Sequence, residues 1–159
     1  MITLADAVLG DQDAIPALCA ELDGFYGDTT QGTPAERAAQ VRDVLFGNPP
    51  LAFALLAWDG NTLIGFAAYS FLWPAACLTS SLYLKELYVA EAYRHQGVGG
   101  RLMNGLYKIA AQRGCSRVEW TTDQDNTGAQ AFYEALGVKP YPSKILYRAS
   151  GDQLMGRAS

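Results

Sequence analysis

The sequence predicts a mixed α/β fold in a single domain over residues 1–159, and three observations lead there. The chain has 159 residues, half of them hydrophobic and 18% charged, which is enough apolar material for one core of ordinary size. Short apolar, strand-like runs and longer stretches with helical spacing follow one another in the order β-α-α-β-β-β-α-β-α-β. A glycine-rich turn, Tyr93-Arg94-His95-Gln96-Gly97-Val98-Gly99-Gly100, stands between one of those strands and one of those helices.

Taken in order, Ile2–Ala7 reads as a first strand. Asp11 is a candidate N-cap for a helix over Ala14–Tyr26, whose apolar residues Ile15, Leu18, Cys19, Leu22 and Phe25 recur at helical spacing. Pro16 is tolerated in a first turn. Residues 24–32 read as a loop. Thr33-Pro34-Ala35-Glu36 combines a capping box with proline at the first helical position, and Gly47 ends that helix after Phe46. Leu51–Trp58 and Thr62–Phe71 are strands joined by Asp59-Gly60-Asn61, a hairpin signal. Ser80–Val89 is the next strand. Gly97–Arg113 is a helix with Val98, Leu102, Leu106 and Ile109 on one stripe, ended by Gly114. Arg117–Thr122 is a strand, Asn126–Leu136 a helix stopped by Gly137, and Ile145–Arg148 a last strand beyond Pro140 and Pro142. The tail from about Asp152 is expected to fray.

The glycine-rich turn carries the chemistry. Several main-chain N–H groups point one way there, and the positive end of the following helix dipole lies at the same place. Gly97 and Gly99 have no Cβ to keep an anion away. A dinucleotide-binding turn needs a third glycine where this chain has Leu102, and the Gly-Lys-Ser/Thr of a P-loop is absent. What remains is Arg94-x-x-Gly97-x-Gly99 behind a strand. Downstream stands Asn126-Thr-Gly-Ala129-Gln-Ala-Phe132-Tyr133-Glu-Ala-Leu136-Gly137. In this order and spacing the two blocks resemble the acetyl-CoA signature and the Asn-x-x-Ala-x-x-Phe-Tyr segment of the GCN5-related N-acetyltransferase (GNAT) superfamily. The resemblance covers roughly residues 50 to 150; residues 1–50 match in pattern only.

The resemblance implies that superfamily's fold: a mixed, mostly antiparallel sheet flanked by about four helices. In it, the Ser80–Val89 and Arg117–Thr122 strands run parallel and splay apart at their C-terminal ends. It implies acetyl-CoA as cosubstrate, its pantetheine arm entering that gap as a pseudo-strand. It also implies transfer of an acetyl group to a primary amine, as in the small-molecule amine and polyamine acetyltransferases whose pattern it resembles, and a homodimer. Backbone groups of Leu87, Tyr88 and Val89 would meet the arm, and the N–H near Leu87 would face the thioester carbonyl. Main-chain groups of Arg94, His95, Gln96, Gly97, Val98, Gly99 and Gly100 would hold the diphosphate. The Arg94 guanidinium either adds charge there or pairs with a surface carboxylate. His95, the only histidine, reads as solvent-exposed.

Tyr133 falls at the family's general-acid position, where a phenol would protonate the departing thiolate; the plain alternative is a core tyrosine beside Phe132. Asn126 either caps its helix, bonds the pantetheine arm, or does both. Glu86 is the candidate base, with an ion-pairing role, a water chain or an acid of the Glu21–Asp28 segment as alternatives. Alternation should turn Glu86 and Lys85 to opposite faces. The polyamine-acetylating relatives place their base one position earlier, at Lys85 in this chain. Glu21-Leu-Asp-Gly-Phe-Tyr-Gly-Asp28 mixes carboxylates and aromatics that suit a cationic acceptor, or forms a solvated loop with Phe25 in the core. Phe71, Trp73 and Pro74 suggest a second wall, a dimer contact or core. The rival functional classes are a non-catalytic acyl-CoA sensor and an enzyme acting on a protein or peptide amine.

A net charge of −4 argues against nucleic acid as partner. No apolar run is long enough for a bilayer, and no signal peptide is apparent. Cys19, Cys77 and Cys115 are odd in number and scattered, so reduced thiols, a cytoplasmic location and no metal are expected.

Overall fold

A computed structural model describes residues 1–158, as two compact units that meet in sequence at Thr121/Thr122. The first unit holds a five-stranded sheet in the order β1-β2-β3-β4-β5, formed by β1 (Ile2–Asp6), β2 (Phe53–Asp59), β3 (Thr62–Leu72), β4 (Ser81–Val89) and β5 (Arg117–Glu119). The first three pairings are antiparallel and β4–β5 is parallel. The expected mixed, mostly antiparallel sheet is therefore present. The β2–β3 hairpin turns at Gly60-Asn61, between paired Asp59 and Thr62, with Gly60 at φ 58°.

Helices α1 (Ile15–Tyr26) and α2 (Pro34–Phe46) cover one face of the sheet. Ile15 and Leu18 pack there with Ala54, Leu56, Phe66 and Tyr88, and Val41 and Leu45 close over them. Helix α3 (Val98–Gln112) buries Val98, Leu102, Met103, Leu106 and Ala110. A side chain at Gly105 would collide with Leu55, and one at Gly65 would meet Leu102, so these two glycines let α3 lie close on the other face. Met103 is fully buried although the sequence stripe omitted it, while Ile109 is only half-buried.

The capping box of α2 forms as expected. Thr33 Oγ1 accepts from the Glu36 N–H at 3.2 Å, and Glu36 Oε2 accepts from the Thr33 N–H at 2.7 Å. Thr33→Ala should cost about 1 kcal/mol, read as a lower urea midpoint with unchanged slope. An unmoved midpoint would mean that the box contributes nothing.

Several expectations change. Asp11 does not cap α1. It opens its own 3-10 turn at Asp11–Asp13, where its carboxylate accepts from the Val8 N–H at 2.8 Å, and α1 starts four residues later. The helix expected over Ala14–Tyr26 forms as Ile15–Tyr26, so residues 24–26 belong to it and not to the loop read over 24–32; a lone Gly24 does not break a helix whose flanks pack, and the chain leaves at Gly27 with φ 77°. β5 stops at Glu119, short of Thr122.

The second unit begins at Thr122 and contains α4 (Thr127–Ala135) and α5 (Asp152–Ala158). The expected fraying from Asp152 is thus replaced by a helix; Ser159 lies outside the described residues. The last expected strand, Ile145–Arg148, is absent among the described residues. Ile145, Leu146 and Tyr147 are 64–87% exposed, and a strand exists only where another backbone completes its hydrogen bonds. Among the described residues no helix is long and apolar enough to cross a membrane.

Candidate functional site

β4 is paired on both sides only at its start. β5 faces Ser81, Leu82 and Tyr83 and then ends, while β3 follows β4 to Val89. The Ala90 N–H donates to the Ile64 carbonyl on the β3 side at 2.8 Å. The main-chain groups of Val89, and two residues earlier of Leu87, therefore face the open edge. A strand with such an edge can accept an extended, amide-bearing guest.

A register shift interrupts β4 at the same place. Ala68 faces Glu86 but Tyr69 faces Leu84, which leaves Lys85 as the extra residue of a bulge. The strict alternation expected for Lys85 and Glu86 is broken there. Lys85 is exposed, and Glu86 is half-buried, with Tyr26 Oη 3.5 Å from its Oε1.

Beyond Val89 the chain makes a 3-10 turn at Glu91–Tyr93, then two left-handed steps, His95 at φ 61° and Gly97 at φ 79°, and enters α3. The contrast with α2 is informative. α3 starts without a side-chain cap and without an acidic residue in its first turn. The N–H groups of Val98, Gly99 and Gly100 have no acceptor within the helix. Nothing lies within 4 Å of where a Gly97 Cβ would stand, so the approach to these donors is open. Gln96 bonds the Ala92 carbonyl through Nε2, and His95 is exposed.

The Arg94 side chain bonds neighbours within its own region rather than a surface carboxylate. Its Nε donates to the Val89 carbonyl at 3.0 Å and its Nη2 to the Tyr88 hydroxyl at 3.2 Å. The guanidinium carbon lies 5.4 Å from the centres of both the Phe25 and the Tyr88 ring.

Opposite β4, the last turns of α1 present Glu21, Phe25 and Tyr26. Glu21 Oε1 accepts from the Glu91 N–H at 3.0 Å. Burial pushes the Tyr88 phenol above its usual pKa, the Glu21 carboxylate adds to this, and Arg94 opposes it. Burial likewise raises the Cys19 thiol, with Arg37 opposing and Asp23 and Glu86 contributing. Glu86 and Tyr88 thus look toward an acidic, aromatic helix face. Neither Glu21 nor Tyr26 was singled out from sequence, although the helix expected over Ala14–Tyr26 already put both on one element.

The second unit holds the other two candidates. Asn126 Oδ1 caps α4, accepting from the Ala129 N–H at 3.0 Å. Tyr133 is half-buried, its ring centre 5.1 Å from that of Phe132. Asn126→Ala should destabilise α4 by about 1 kcal/mol, seen as faster amide exchange at Ala129 and Gln130; unchanged exchange would count against the cap. Among the described residues no cluster of three or more His, Cys, Asp or Glu could hold a metal ion. A cavity of about 430 Å³ lies elsewhere, at the entry of β2, lined by Asp6, Phe46, Phe53, Tyr69, Ile109 and Arg113 among others; it shares no residue with the turn.

Comparison with known proteins gives concordant findings. A model of the acetyltransferase (GNAT) family matches residues 16–138. The chain is 36% identical over 143 residues to the D-amino-acid N-acetyltransferase HPA3 of Saccharomyces cerevisiae, covering 89% of this chain and 86% of the relative. It is 31% identical over 144 residues to an aminoglycoside N(6')-acetyltransferase type 1 of Serratia marcescens, covering 89% and 96%. Among solved structures, an integron cassette protein from the mobile metagenome of V. cholerae superposes with a TM-score of 0.91 at 25% identity, covering 99% of this chain and 97% of that one.

Proposed function

The chain belongs to the acetyltransferase (GNAT) family and is an N-acetyltransferase, and on that premise we propose that it moves an acetyl group from acetyl-CoA to the primary amine of a small molecule. The observation that carries the cosubstrate assignment is the uncapped start of α3, with its open approach at Gly97, directly after the half-paired end of β4. Donors without acceptors at a helix N-terminus suit a diphosphate. The open edge of β4 suits the amides of the pantetheine arm. Acetyl-CoA supplies the activated acyl group as a thioester.

In this reading the main-chain N–H groups of His95 to Gly100 hold the diphosphate, the Arg94 N–H being taken by the Glu91 carbonyl at 3.3 Å. The main chain of Leu87 and Val89 aligns the arm, that of Tyr88 being turned to β3, and the Leu87 N–H faces the thioester oxygen, where one donor is worth about 3 kcal/mol to the transition state. Asn126 presents its remaining amide donors to the arm while its oxygen caps α4. Glu86 accepts the proton that the incoming ammonium must lose before its lone pair can attack. Tyr133 donates the proton that the sulfur takes up as the carbon–sulfur bond breaks and the carbon–nitrogen bond forms. The carboxylates and rings of Glu21, Phe25, Tyr26 and Glu86 favour a cationic acceptor. Both relatives compared above are named for amines, an amino acid and an aminoglycoside.

A panel of amines with the purified chain and acetyl-CoA tests this, thiol release being followed with a thiol reagent. Amine-dependent release is the expected result. No measurable CoA affinity by calorimetry would overturn the reading at its root.

A further inference from the structure

We propose that Arg94, Tyr88 and Glu21 form a brace that positions the diphosphate turn, and that Arg94 is a positioning residue rather than a phosphate ligand. The inference rests on the reading of residues 95–100 given above. Arg94 immediately precedes that segment, and its guanidinium is committed behind the turn. One fork nitrogen holds the Val89 carbonyl at 3.0 Å, another the Tyr88 hydroxyl at 3.2 Å, and the plane lies near the Phe25 and Tyr88 rings. From α1, Glu21 accepts from the Glu91 N–H at 3.0 Å, and its carboxylate helps to raise the Tyr88 phenol's pKa. The main chain adds an Arg94 N–H bond to the Glu91 carbonyl at 3.3 Å. The entry of the turn is thus tied to a strand and a helix, and its exit is tied by buried Val98. Between these anchors lie the two left-handed residues, His95 and Gly97. A turn held at both ends presents its N–H groups without first having to be ordered by the ligand. A planar fork that bonds two acceptors while stacking on rings is a geometry lysine cannot reproduce.

The test uses the full chain and the variants Arg94→Gln, Tyr88→Phe and their double, with Arg94→Lys as a gentler replacement should Arg94→Gln not fold. Amide exchange of residues 96–100 without ligand, and CoA affinity by calorimetry at two salt concentrations, are read for each. The brace predicts that Arg94→Gln speeds exchange and weakens CoA binding, each about 10-fold, without changing the salt dependence. Tyr88→Phe should move both in the same direction by a smaller factor. The double variant should be no worse than Arg94→Gln, because both remove one unit, and Arg94→Lys should resemble Arg94→Gln. Unchanged exchange, additive single effects, or a reduced salt dependence with Arg94→Lys near wild type would overturn the brace and make Arg94 a phosphate contact. If wild type binds no CoA, the reading of the turn fails, and the exchange data alone still decide for or against the brace.

Discussion

Replacing Tyr133 by phenylalanine is expected to lower kcat about 100-fold, within the usual range for loss of a general acid. The substitution removes one hydroxyl and keeps the ring that lies against Phe132. A phenol can hand its proton to a departing thiolate. The loss corresponds to about 2.7 kcal/mol of transition-state stabilisation, and it belongs to the bond-breaking step alone. CoA affinity should therefore stay within about twofold of wild type. An acyl donor whose thiol is a better leaving group needs less protonation, so the gap between variant and wild type should narrow with it. Equal turnover of the two proteins on acetyl-CoA would remove Tyr133 from the mechanism, and a uniform loss across leaving groups would make its hydroxyl structural.

The turn ahead of α3 was legible as structure because its signals are local. A glycine pair behind a strand, a capping box at Thr33 and an apolar stripe on α3 each lie within a few residues, and the physics that reads them is short-ranged. The same locality misread Asp11, whose carboxylate had a nearer N–H to accept from in its own turn. It misread Ile145–Arg148 as well, since β-propensity says a segment fits a pleated surface and not that a partner is there. The bulge at Lys85 depends on how two strands register, and the stacking of Arg94 on Phe25 joins a loop to a helix far away in sequence. Neither leaves a mark in the order of residues. What surrounds the candidate positions was thus hidden.

Gly99→Asp should abolish measurable CoA binding, a loss of at least about 100-fold, while leaving the fold intact. The two halves of this expectation come from the same place in the structure. Gly99 is the second residue of α3 and is absent from the positive-φ positions, so a side chain there demands no unusual backbone. An aspartate in a first helical turn is favoured by the dipole, by about 0.3–1 kcal/mol, and α3 has no acid there to begin with. Thermal stability without ligand should stay level or rise slightly. The carboxylate would nonetheless take up the N–H groups assigned to the diphosphate and repel its charge. Gly97→Ala provides the opposite pattern. Gly97 is held at φ 79°, where a Cβ costs about 1–2 kcal/mol, so that variant should lose stability even though the space beside it is open. Calorimetry and thermal melts on the two variants separate ligand binding from backbone strain. Undiminished CoA affinity in Gly99→Asp would place the diphosphate somewhere other than the start of α3.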